Sequence, residues 1–221
     1  MLLATDAHYH ANSARVAGVL FADWGACQAV QEVVVQVSAV ADYEPGQFYK
    51  RELPCLLALL DQLAHPPQCI LVDGYVYLGE AQRPGLGHHL YHALDGRIPV
   101  VGVAKSYFRG TPSATAVYRG RSQSPLYVTA IGMDEAVARE AIGRMCGPHR
   151  LPTLLKQVDQ LSAEKRQPPL QTTTKVVTTN PLSSLFSWPH AQNFSSKLKS
   201  NPTAVPPCVG LCPTSTKTGA C

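Results

Sequence analysis

Asp73 closes the apolar run Ile70, Leu71, Val72 in "ILVDGYVYL" (70–78), and Asp6 interrupts a second such run, "LLATDAHY" (2–9). A bare carboxylate at the end of a strand covered on both faces is expensive to bury unless positive charge or hydrogen-bond donors meet it. Glu52 stands immediately ahead of another apolar stretch, "LPCLLALLDQLAH". Neighbouring carboxylates raise each other's pKa unless a cation sits between them, and a hard divalent ion with oxygen ligands, Mg²⁺ or Mn²⁺, resolves that conflict. Taken singly, each acid reads as well as a turn or cap residue, and Asp73-Gly74 is an ordinary turn dipeptide. Asp159, in the last helical pattern, fits either a fourth acidic member or a solvated helix face. Lys105 ends the apolar run "VVGVAK". It suits neutralising a phosphate, or a long stem reaching out from a strand end. His8 and His10 read as surface histidines rather than metal ligands.

The elements that must position these groups are legible along residues 1–166. "LLATDAHY", "RVAGVLFADW" and "AVQEVVVQVSAV" read as strands, joined too closely for parallel crossovers, so they predict a three-stranded antiparallel meander. "ELPCLLALLDQLAH" follows as a helix, with Pro54 in its first turn, and "CILVDGYVYL" is the fourth strand. "GLGHHLYHAL" is helical, "IPVVGVAKSYF" a strand, and "TAVYRG" with "PLYVTAIG" a late strand pair. Two helices finish the domain, "DEAVAREAIGRMCG" with Asp134 as N-cap, and "LPTLLKQVDQLSAE". This order predicts an α/β fold, a mixed sheet with the meander beside parallel strands and helices on its faces. The first and fourth strands then lie side by side, bringing Asp6 to Asp73. Regular β–α alternation is missing, as are G-x-G-x-x-G and the P-loop pattern, so no nucleotide cofactor is expected.

Composition narrows the rest. Residues 1–166 carry fifteen basic and fifteen acidic side chains, and the net charge of +4 comes from Lys175, Lys197, Lys199 and Lys217. A neutral body does not bind DNA by bulk charge. No apolar run approaches the roughly 18 residues of a membrane span. Without a basic segment and long apolar core at the N-terminus, a cytoplasmic protein with no membrane partner is expected. Cys27, Cys55, Cys69 and Cys146 are singletons in apolar segments and are expected as reduced, buried thiols. Residues 167–221 are rich in Pro, Ser and Thr, contain no acid and lack any apolar period, which predicts a disordered tail. Within it, "LSSLFSWPH" has the makings of a peptide docking segment.

At these residues the chain resembles the endonuclease V family, nucleases with the ribonuclease H-like fold. "YEPGQFYKRELP" (43–54), "VDGYV" (72–76), "IPVVGVAKS" (98–106) and "HRLPTLLKQVD" (149–159) follow the family's blocks in order. The resemblance implies Asp6, Glu52 and Asp73 as metal-binding carboxylates for Mg²⁺, with Mn²⁺ as a substitute. It implies Asp159 near the metals, Lys105 facing phosphate, and Tyr43 with Pro45 as a wedge that parts nucleic-acid strands. Gly46, Gly74, Gly85 and Gly102 fall in the blocks that line a pocket for a flipped base. The implied activity is hydrolysis of inosine-containing DNA at the second phosphodiester bond 3′ to the lesion, leaving a 5′-phosphate, by a monomer in DNA repair. Val76 stands where the family carries glycine, Lys50 where it carries an aromatic residue, and His89 takes its later histidine position. Two rivals follow: a nuclease shifted toward RNA or other damaged or structured DNA, and a non-catalytic nucleic-acid-binding protein on the same scaffold.

Overall fold

The computed structural model describes residues 1–38, 40, 46–163 and 175–178. In chain order its strands and helices are β1 Leu2–His10, β2 Ser13–Phe21, β3 Gln31–Ser38, α1 Phe48–Leu60, β4 Cys69–Val72, β5 Tyr77–Leu78, β6 Arg83–Pro84, α2 Leu86–Ala93, β7 Val100–Ala104, β8 Ala116–Val117, β9 Leu126–Ile131, α3 Glu135–Arg144, α4 Thr153–Ala163 and β10 Lys175–Thr178.

The main sheet runs β10-β3-β2-β1-β4-β7-β9-β8. β1, β2 and β3 form the expected antiparallel meander. β4 joins β1 in parallel with Thr5 opposite Val72, and β7 joins β4 in parallel with Gly102 opposite Val72. β9 then returns antiparallel to β7. This is the mixed, ribonuclease H-like sheet that the sequence predicts.

Strand alternation sorts the core into two layers. Ala4, Ala17, Val34, Leu71 and Val101 face one side, where they pack with Ala138 and Ile142 of α3 and Leu154 and Val158 of α4. Leu3 and Gly18 face the other side and meet Leu59 of α1; a methyl group on Gly18 would lie 2.9 Å from the Leu59 side chain. Gly87 of α2 likewise sits against Val76 and Val100. Asp134 caps α3 as expected, accepting from the backbone N–H groups of Ala136 and Val137.

Three expectations change. α1 starts at Phe48, a full turn earlier than "ELPCLL", so Pro54 lies inside the helix rather than in its first turn. The fourth strand stops at Val72; Tyr77–Leu78 instead pairs with Arg83–Pro84 in a separate hairpin. Gly74 (φ +144°) turns the chain between them, a backbone conformation that side chains resist. Finally, Cys27 and Cys146 are not reduced thiols but a disulfide across 119 residues, with a Cα–Cα distance of 5.1 Å. The turn carrying Trp24, Ala26 and Ala29 packs on the same core cluster as Met145, and that packing brings the two cysteines together. Cys55 and Cys69 are free and buried, as expected. Of the predicted tail, Lys175–Thr178 is a strand parallel to β3; the remaining residues after 163, "LSSLFSWPH" included, lie outside the described residues, as do Tyr43 and Pro45.

Candidate metal centre

Asp6 continues β1 on the face of Ala4, and Asp73 follows β4 on the face of Leu71, two positions on in each strand. Lys105 follows β7 on the face of Val103. Period-two alternation therefore sends all three side chains to the side of the sheet that α4 covers. Since β1, β4 and β7 are parallel to one another, they leave at one sheet edge. α4 packs across β1 and β2 and adds Asp159.

The carboxylate oxygens of Asp6, Asp73 and Asp159 lie within 4.8 Å of one another. Leu71, Val103, Leu155 and Val158 line the floor beneath them. Lys105 Nζ donates to Asp73 Oδ2 at 2.8 Å and to Asp159 Oδ1 at 2.5 Å. The single proton of the Ser162 hydroxyl is shared between Asp6 Oδ2 and the Asp159 carbonyl.

Glu52 enters from α1 on the opposite layer. It is 5% exposed, and among the described residues its Oε2 has no hydrogen-bond partner. Burial first, then the charges of Asp73 and Asp6, push its carboxyl well above the ordinary range. Burial likewise raises Asp6 to about 6; the Ser162 hydrogen bond opposes this, while Asp73 adds to it. Burial pulls the Lys105 ammonium down, but its hydrogen bonds to Asp159 and Asp73 outweigh that and hold it above its usual value.

These groups fit a hard divalent cation. Three clustered carboxylates, the raised pKa of Asp6 and Glu52, and a buried carboxylate oxygen without a partner among the described residues are what such an ion relieves. Of the four predicted acids, Asp159 rather than Glu52 joins Asp6 and Asp73 in the tight cluster, with Glu52 coupled to it through charge. Lys105 bridges two of the acids instead of standing clear of them. Sequence reasoning missed Ser162, for which a lone serine in a helix gives no signal.

The four glycines divide. A side chain on Gly46 or Gly74 would meet nothing within 4 Å, so both face open space. A methyl group on Gly85 would strike Tyr75 O at 2.5 Å, and one on Gly102 would strike Gly74 O at 2.6 Å. Those two glycines let the backbone after Asp73 pass close over α2 and β7. Val76 is fully buried in that passage, and its N–H donates to Thr129 Oγ1 at 2.8 Å. His89 stacks on Tyr49 with ring centroids 3.6 Å apart.

A family profile described as Endonuclease V matches residues 1–134. Endonuclease V of Gloeobacter violaceus is 32% identical over 160 residues, covering 60% of this chain and 63% of that protein, so the chain spans less than two thirds of this relative. Endonuclease V of Thermococcus kodakarensis is 30% identical over 162 residues, covering 72% of this chain and 76% of the relative. The crystal structure of the endonuclease V from Streptomyces avermitilis superposes with a TM-score of 0.57 at 28% identity, over 73% of this chain and 78% of the other.

Proposed function

The chain belongs to the endonuclease V family, and from that premise we propose that it is a divalent-metal-dependent endonuclease that cleaves nucleic acid beside inosine. Cleavage falls at the second phosphodiester bond 3′ to the lesion and leaves a 5′-phosphate, an activity of DNA repair in the cytoplasm. The observation that carries this reading is the convergence of Asp6, Asp73 and Asp159 with Lys105 at one sheet edge. Among the described residues no helix is long and apolar enough to cross a membrane.

Asp6, Asp73 and Asp159 would hold Mg²⁺, with Mn²⁺ as a substitute, and Glu52 would support them from the buried side. When bound, such an ion would supply Lewis-acid charge to a phosphate and lower the pKa of a water. Ser162 fixes the Asp6 carboxylate, and Lys105 adds positive charge next to Asp73 and Asp159, where negative charge develops on the phosphate. Tyr43 and Pro45 part the strands, and Gly46 and Gly74 leave room for the displaced base.

One observation favours a shift in specificity toward RNA or another damaged or structured DNA. Val76 fills space that a glycine would leave open, and Thr129 already occupies its N–H. The completeness of the acidic set counts against a non-catalytic binding protein. Matched oligonucleotides with and without one inosine, as DNA and as RNA, are incubated with Mg²⁺ or chelator. Inosine- and Mg²⁺-dependent cleavage is expected, and its absence on every substrate removes the proposal.

A further inference from the structure

Beyond the C-terminal ends of β4 and β7, in the loops that follow Asp73 and Lys105, lies an aromatic surface that the proposed reaction does not use. Tyr75 comes two residues after Asp73 and Tyr107 two residues after Lys105. Tyr127 sits opposite Ala104 on the neighbouring strand. The rings form a chain: Tyr107 to Tyr127 at 5.6 Å, Tyr127 to Tyr75 at 6.3 Å, and Tyr75 to Phe108 at 6.3 Å between centroids.

The inner member is structural. Tyr75 is 8% exposed; its hydroxyl donates to Ser106 O at 2.8 Å and accepts from Phe108 N at 3.2 Å. Tyr75 thereby fixes the loop after Lys105. The outer member is different. Tyr107 keeps 60% of its surface in solvent, and its hydroxyl accepts from Gly110 N at 3.1 Å, so the ring is both held and open.

Positive charge flanks this surface. The β5–β6 hairpin sets the Arg83 guanidinium 5.6 Å from the Phe108 ring centroid, and Arg109 is exposed in the same loop. Neither arginine forms an ion pair among the described residues, and Glu80 is the one acid of the hairpin and loop segments 77–84 and 105–110.

We infer that Tyr107, with Tyr127 behind it and Arg83 and Arg109 at its sides, is a stacking platform for unpaired nucleotides of the strand held at the metal centre. This rests on the nuclease reading and adds that the bound strand is unpaired where it meets Tyr107. Stacking on an aromatic face requires a free base face, which a duplex offers only at its ends. The arginines meet the backbone between stacked bases. An aromatic face does not read the 2′-hydroxyl, so DNA and RNA single strands are both accepted.

The test measures fluorescence anisotropy of the full chain without divalent metal. The probes are a labelled unstructured pyrimidine DNA strand, its RNA counterpart, and a blunt DNA duplex of the same length. Tyr107→Ala weakens binding to both single strands by roughly fivefold or more, the range of one lost base–aromatic stack. Its duplex affinity stays within about twofold, and Tyr107→Phe binds like the parent. Unchanged single-strand affinity in Tyr107→Ala overturns the inference, and so does an equal loss on duplex. A loss in Tyr107→Phe as large as in Tyr107→Ala also overturns it, assigning the effect to the bond with Gly110. An Asp73→Ala chain serves as control: cleavage disappears in it while the Tyr107 effect on binding persists. Failure of the nuclease reading, with no cleavage by the parent, is thus read separately from failure of the platform.

Discussion

Ser162 Oγ, on the last turn of α4, donates a hydrogen bond to Asp6 Oδ2 on β1, across 156 positions of sequence. Ser162 is 1% exposed, so no water replaces the hydroxyl without rearrangement. The bond orients one carboxylate of the metal centre and opposes the rise in its pKa. Ser162→Ala is expected to weaken Mg²⁺ binding by roughly tenfold, the lower range for loss of a partner that orients a metal ligand. Titration calorimetry with Mg²⁺ measures it, and Ser162→Thr restores affinity if the hydroxyl is the cause.

Lys105→Met removes the ammonium that Asp73 and Asp159 share. All three side chains are about a third exposed or more, at 35%, 34% and 45%. Solvent screening therefore limits the stability change to about 1 kcal/mol. Cleavage is expected to fall far more, roughly a hundredfold, because the proposed reaction sets that charge beside the scissile phosphate. Thermal melting and single-turnover cleavage, run on the same variant, separate the two effects.

Removing metal reveals the carboxylates' pH dependence. Asp6 is raised from its ordinary 3.8 to about 6, and Glu52 moves in the same direction. The folded chain thus holds these protons more tightly than the unfolded one, and stability declines as pH rises from about 4 through about 6. His89 acts with the opposite sign. Burial, then His88 and His92, lower it to about 4, so its contribution is lost as pH falls. Mg²⁺ acts only on the carboxylates. The gain in melting temperature from Mg²⁺ over chelator should therefore grow as pH rises across that window; a gain that is flat with pH contradicts the assignment.

Reduction of Cys27–Cys146 opens a loop closed over 119 residues. A typical disulfide contributes about 2–4 kcal/mol. Melting with and without reductant, alongside a Cys27→Ser, Cys146→Ser double variant, should show matching losses. Peptide mapping of the unreduced chain confirms the bond directly.

How far the site is legible in sequence depends on the residue. Asp6 and Asp73 each end an apolar run, and short connections force the meander, so their meeting follows once the fourth strand is set beside the first. Asp159 does not follow: on an amphipathic helix an acid at the boundary of the apolar stripe reads as solvated, and only packing of α4 on β1 turns it inward. Glu52 shows the reverse, since its local sequence looks like a helix start whereas α1 buries it. The disulfide is invisible because nothing local links two cysteines in different layers of sequence order. Gly85 and Gly102 carry the family's spacing, but the close passage of backbone that each permits appears only in three dimensions.

The order of the main sheet leaves two outer strands of unequal length. β8 at one end has two residues, too short to template another chain, while β10 at the other has four and covers Val35–Ser38 of the eight-residue β3. Cutting the chain before Lys175 would bare β3's outward row of backbone N–H and C=O groups, within a segment rich in valine. Such an edge recruits strands from neighbouring molecules. Lys175–Thr178 is therefore expected to limit self-association, and a chain trimmed before Lys175 to clump even with its acidic centre intact.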